Sequence, residues 1–124
     1  MSSNKPFRFG PVAMANAAAD ILNPGTTTGG VNCTAAPNDK LFVKLTHISI
    51  VNKTAGAITF SLYLGATGGS AAGTEVIGTA KSVAANDTFN WYGSLVIDTT
   101  KFLSGLASAA TSLTIQGDGE IGVA

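Results

Sequence analysis

The sequence predicts an all-β protein: a single-domain β-sandwich, jelly-roll-like or a small barrel, preceded by an extended N-terminal arm. Three observations lead there. Fifteen glycines in 124 residues, with many Ala, Ser and Thr, disfavour long helices and supply frequent turns. Short runs of β-branched and aromatic residues recur between those turns, the spacing expected of a sandwich or barrel. In "ITFSLYLG", Ile58, Phe60, Leu62 and Leu64 alternate with Thr59, Ser61 and Tyr63, the period of a strand with one buried face.

Taken in order, residues 1–16 read as the arm and 17–124 as the sandwich domain. Phe7 and Phe9 on an otherwise polar tail are poorly placed in water. They are expected to dock on the body or on a neighbour, with Arg8 between them at a partner interface. "VAMANAAADIL" admits a helix by alanine propensity, with Pro11 in the first turn and Pro24 ending it. An extended segment over Ala17 to Leu22 is preferred, because a long Gly, Thr and Pro stretch follows. "LFVKLTHISIV" is a strand whose alternation breaks: Leu45 and Val51 share one parity, Ile48 and Ile50 the other. That break suggests a central strand covered on both faces. "NKTAG" then supplies Asn and Gly for a reversal, so Leu41–Val51 and Ile58–Leu64 read as a hairpin.

Beyond it, Gly65–Gly73 reads as a flexible, exposed loop, a short strand follows around Val76 and Ile77, and "AAND" is a turn. "TFNWYGSLVI" is an aromatic strand with Trp91 inward and Tyr92 opposite it, half exposed and a candidate interface residue. "DTTKFLSGLASAA" fits a short strand or one helical turn. "SLTIQGDGEIGVA" closes the chain, with "GDG" as a turn or bulge. The expectation is six or seven strands.

Charged residues make up 11% of the chain, seven basic and seven acidic, against about 25% in an average domain. No basic field of the kind nucleic acids require is present, so no nucleic-acid partner is expected. No run approaches the ~20 apolar residues of a membrane span, and the N-terminus lacks a signal-peptide core. No membrane partner is expected either, and the chain reads as a product of a cytoplasm. The single Cys33 cannot form an internal disulfide and reads as a small buried residue.

No catalytic, cofactor-binding or metal-binding residue is assigned. His47, the only histidine, lies mid-strand and reads as structural, since catalysis or metal binding needs partners from elsewhere. Asp118 and Glu120 flank Gly119 and offer oxygens, but a calcium cage needs six or more and no loop pattern accompanies them. "GATGG" has no following Lys or helix, so it is not a phosphate loop. Glu75, Asp87 and Asp98 lie in separate segments, and Ser94 lacks a nucleophile-elbow context.

The segments "KLFVKLTHISIVNKTAGAITFSLYLGATGG", "AGTEV" and "VAANDTFNWYGSLVIDTTKFLSGLASAATSLTIQGDGEI" carry a resemblance over roughly residues 35 to 121. The chain resembles small virion proteins of tailed bacteriophages, of head-decoration, minor structural or tail-associated type. The resemblance implies a β-sandwich subunit used many times in a particle, without cofactor or catalysis. The expected role is that of a decoration or cement protein on the outer surface of the capsid, made in the host cytoplasm. Its partners would be the major capsid protein and its own copies, as a homotrimer. The segment Gly25–Asn38 is longer than in shorter relatives. A neck, tail or fibre component would have the same body. A carbohydrate-binding module would use Trp91 and Tyr92, but adjacent strand residues face opposite ways and cannot stack on one ligand.

Overall fold

The computed structural model describes residues 5–22, 41–66, 68–98 and 101–123. The readings of Cys33 and of residues 25–38 lie outside them. Eight strands follow one another: β1 Lys5–Ala13, β2 Ala19–Leu22, β3 Leu41–Asn52, β4 Ile58–Gly65, β5 Glu75–Val83, β6 Thr88–Asp98, β7 Phe102–Ala107 and β8 Leu113–Val123. Among the described residues there is no helix. The strands form two four-stranded antiparallel sheets, ordered β1-β8-β3-β6 and β2-β7-β4-β5. This interleaved order is a jelly roll, the double-sheet β-sandwich.

The fold corrects three expectations. β3 and β4 lie in different sheets, so "NKTAG" is a corner between sheets and not a hairpin turn. Asn52 makes the corner by a route other than backbone permissiveness. Fully buried, it donates through Nδ2 to the carbonyls of Gly56 (2.9 Å), Val83 (3.0 Å) and Ala84 (3.1 Å). Its Oδ1 accepts from the Thr54 amide (2.9 Å) and hydroxyl (2.7 Å). One side chain therefore ties the β3–β4 corner to the β5–β6 corner and satisfies carbonyls that would be costly to bury unpaired. The "AAND" turn is present, with Asn86 at φ 56° and the Asp87 amide donating to the Ala84 carbonyl at 3.2 Å.

The broken alternation of β3 is a bulge, not two-sided burial. The strand is central, as expected, but its register shifts against both β6 and β8 between Leu45 and His47. Val43 and Leu45 point inward before the shift, and Ile48 and Ile50 after it. Val51 ends outside, 40% exposed. A bulge changes which parity faces the core.

The expected arm over residues 1–16 contains β1, the outer strand of the first sheet, paired with β8. Phe7 and Phe9 are buried in the chain's own core, so they dock on the body, one of the two expected places, and not at a partner interface. The reason lies in β8. Of the two readings of "GDG", turn or bulge, the turn fails: the segment is the middle of β8, with the register irregularity against β3 at Asp118–Gly119, and there Gly117 pairs with Phe9 and Gly119 with Phe7. A Cβ on Gly117 would collide with the Phe9 ring, and one on Gly119 with the Lys44 carbonyl at the bulge. Gly117 leaves room on the inner face of β8 that the Phe9 ring fills, and Gly119 leaves room that the Lys44 carbonyl fills.

The remaining elements follow the sequence more closely. Ala19–Leu22 and Phe102–Ala107 are extended. β5 reaches well beyond Val76 and Ile77, but its register against β4 jumps between Phe60 and Leu62, with Ile77 and Ala80 at positive φ. The core lies between the sheets. Phe60 of the second sheet is fully buried and meets Phe89 of the first at 5.3 Å between ring centroids.

Two predictions follow from this packing. Asn52→Leu removes the donors of three carbonyls and should cost about 3 kcal/mol, near the ~3–5 kcal/mol expected for Phe60→Ala; both are read by denaturant unfolding. Deleting residues 1–13 should abolish the cooperative thermal transition, because it empties the space above Gly117 and Gly119. A truncated protein melting like the parent would show that β1 is dispensable.

Candidate functional site

The outer faces of the two sheets differ. Over the second sheet the chain folds back on itself. Ser61 and Ser104 point away from the core yet are buried. Ser61 Oγ accepts from the Ala80 amide at 2.8 Å, and Ser104 Oγ donates to the Gly69 carbonyl at 2.6 Å. The excursion of β5 and the β4–β5 loop thus cover this face. Glu75 is spent locally, its Oε1 accepting from the Gly73 amide at 2.8 Å.

The first sheet keeps its outer face open among the described residues. Its exposed large apolar residues are Tyr92 (73%), Val96 (57%) and Val51. The register aligns a row across all four strands: Arg8 of β1 opposite Asp118 of β8, Asp118 opposite His47 of β3, and His47 opposite Tyr92 of β6. Beside it runs a second row, Pro6, Glu120, Lys44 and Val96. Acidic β8 is therefore flanked by basic positions on β1 and β3.

The bulge builds the centre of this face. It turns His47 outward, where Ile48 and Ile50 remain inside. The imidazole stacks on the Tyr92 ring with centroids 4.7 Å apart and planes 18° from parallel. With its proton on Nε2 the ring donates to Asn90 Oδ1 at 3.0 Å. Nδ1 then lies 3.6 Å from Asp118 Oδ1. That distance is not a hydrogen bond; it is an ion pair only when both ring nitrogens carry protons, and an exposed pair of that kind contributes at most ~1 kcal/mol. The row orients Tyr92 more than it stabilises the fold.

Of the four residues expected at an interface, Arg8 and Tyr92 stand on this open face and share its row, while Phe7 and Phe9 are in the core. Trp91 and Tyr92 point to opposite faces, Trp91 packing against the core, so they form no common platform. Sequence reasoning missed the His47–Asp118 contact because its partners are 71 positions apart in the chain, as His47 and Asp118 show by their numbers. The signal that could have found it was the parity break at "LTHI", which a bulge explains and which exposes two consecutive residues. Among the described residues no group of three His, Cys, Asp or Glu is placed to hold a metal ion. No helix among them is long and apolar enough to cross a membrane.

No protein-family model matches the chain. No curated protein matches it either. Among solved structures it is similar to a protein of Bacillus endospore appendages, which form disulfide-linked pili. The identity there is 15%, the TM-score 0.46, and the match covers 99% of this chain and 86% of that one. It is also similar to a protein of infectious bursal disease virus, Gx strain, at 12% identity and a TM-score of 0.40, over 99% of this chain and 31% of that one. A mutant VP2 of the same virus, in T=1 particles, matches at 12% identity and a TM-score of 0.39, over 98% and 29%. The chain thus spans less than a third of those viral proteins.

The exposure of Tyr92 predicts that Tyr92→Ala leaves stability within about 0.5 kcal/mol of the parent, measured by chemical denaturation. A much larger loss would place the ring in the fold's energetics and not on a free surface.

Proposed function

We propose that this chain is a non-enzymatic structural subunit of a phage virion, a decoration protein on the outer surface of the capsid. It binds the major capsid protein and its own copies, as a small homo-oligomer, a trimer in the reading that the sequence resemblance implies. The observation that carries this reading is the open outer face of β1-β8-β3-β6, where Tyr92 and Val96 project beside Arg8 while the opposite sheet is covered by its own chain. Exposed aromatic and Arg residues are the anchors that protein interfaces favour. The sequence resemblance over residues 35 to 121 points to the same class of particle. Tyr92 is the central contact in this reading, and Arg8 sits in the same row at the sheet's other edge.

The charges on this face are few and alternate in sign across neighbouring strands. Adhesion therefore rests on apolar and backbone contacts, which salt screening leaves intact. Many copies binding across subunit boundaries favour the intact shell by mass action. Heads carrying the protein should rupture at a higher temperature than heads lacking it, at low and high salt alike. Tyr92→Ala should lower particle occupancy at least tenfold while the free protein stays folded. An unchanged rupture temperature would reject the cement role in favour of a neck, tail or fibre location, and release by moderate salt would show that Arg8, Lys44 and their neighbours carry the binding.

A further inference from the structure

The open face of β1-β8-β3-β6 carries its charges in columns. On β8, Asp118 and Glu120 both stand exposed on the outer side. On β3, His47 and Lys44 occupy the positions opposite them. The outer strands add Arg8 and Pro6 on β1 and Tyr92 and Val96 on β6. The acidic column and the basic column thus lie on either side of the sheet's midline, the seam between β8 and β3. A face built in this way is complementary to itself when turned over about that midline.

We propose that this face pairs with the same face of a second copy of the chain, about a two-fold axis parallel to the strands and centred between β8 and β3. The rotation keeps each residue at its height along the strands and reverses the order of the strands. Acidic β8 then lies over basic β3: Glu120 meets Lys44 of the partner subunit, and Asp118 meets His47 of the partner subunit. At the margins Arg8 comes over the ring of Tyr92 of the partner subunit, a cation–π arrangement, and Val96 comes over Pro6 of the partner subunit. The other face-to-face two-fold, with its axis across the strands, lays β8 on β8 and opposes carboxylates to carboxylates. Charge complementarity therefore selects both the occupant and the axis, and it sets orientation more than affinity. Two sheet faces with near-parallel strands form the aligned packing of sandwiches. Four strands ~4.8 Å apart over about six residues give a face of roughly 400 Å², below the ~800 Å² per partner of a standard interface. The pair is accordingly weak and reversible. It is isologous and uses the surface assigned above to the shell, so it is the form of the free chain and is released on docking.

The test uses the purified full chain without capsid, by sedimentation over a concentration series. Lys44 and Glu120 also face each other within one chain, so the two charge reversals are combined by mixing variants and not in one chain. Glu120→Lys sets lysine against Lys44 of the partner subunit on both sides of the axis. Lys44→Glu sets glutamate against Glu120 of the partner subunit. Each variant alone should associate about tenfold more weakly than the parent, since opposed like charges repel, while its thermal transition shows it folded. An equimolar mixture should recover the parent's association, because the new lysine at position 120 then meets the new glutamate at position 44 of the other variant. Lys53→Glu has the same net charge as Lys44→Glu but is altered at an exposed corner, and it should recruit a labelled Glu120→Lys chain less well. A monomeric parent, single variants that associate as well as the parent, or a mixture no stronger than its components would overturn the pairing. Shell docking is read separately: a parent that stays monomeric yet raises the rupture temperature of heads overturns the pairing alone, and a dimeric parent that leaves that temperature unchanged overturns the cement role alone.

Discussion

Asn52 stands where the chain leaves one sheet for the other, and the closure of that end of the sandwich depends on its amide. A jelly roll sends most consecutive strands to opposite sheets, so its corners cannot use the mutual ladder of a hairpin. The carbonyls at such a corner need donors from elsewhere. Asn52 provides them for Gly56, Val83 and Ala84 at once, and its own backbone amide donates to the Asp87 carbonyl at 2.8 Å. Two corners separated by some thirty residues thereby become a single structure. The pairing of β3 with β6 begins at that fixed end, where Val51 lies opposite Thr88.

From there the bulge in β3 governs the rest of the first sheet. Without the shift between Leu45 and His47, either Val43 and Leu45 or Ile48 and Ile50 would face water. With it, all four are buried and the displaced residues appear on the outside. Gly119 accepts the close approach of the Lys44 carbonyl that the shift produces. Core packing and the outer row of Arg8, Asp118, His47 and Tyr92 are thus two consequences of one irregularity. Bulges often re-aim side chains at functional surfaces.

The two faces of the sandwich divide their labour. The second sheet is sealed by hydrogen bonds from its own loops, through Ser61 and Ser104. The first leaves an aromatic and an aliphatic side chain standing on a surface of low net charge. A protein with 11% charged residues has little electrostatic repulsion to hold copies apart.

The sequence by itself determined the strands. Period two in "ITFSLYLG", the "AAND" turn, the opposite orientation of Trp91 and Tyr92, and the extended character of Ala19–Leu22 are local properties, fixed by side-chain alternation and turn chemistry within a few residues. It also showed the parity break in β3 without showing its cause. Tertiary structure decided what each strand lies beside. Asn52 reads as a turn residue until Val83 and Ala84 are brought to it, Phe7 and Phe9 read as docked on either the body or a neighbour until β8 brings Gly117 and Gly119 beside them, and His47 reads as solitary until β8 places Asp118 next to it. In a jelly roll most neighbours are far apart in the chain, so pairing, corner chemistry and the open face depend on long-range register, which local periodicity does not encode.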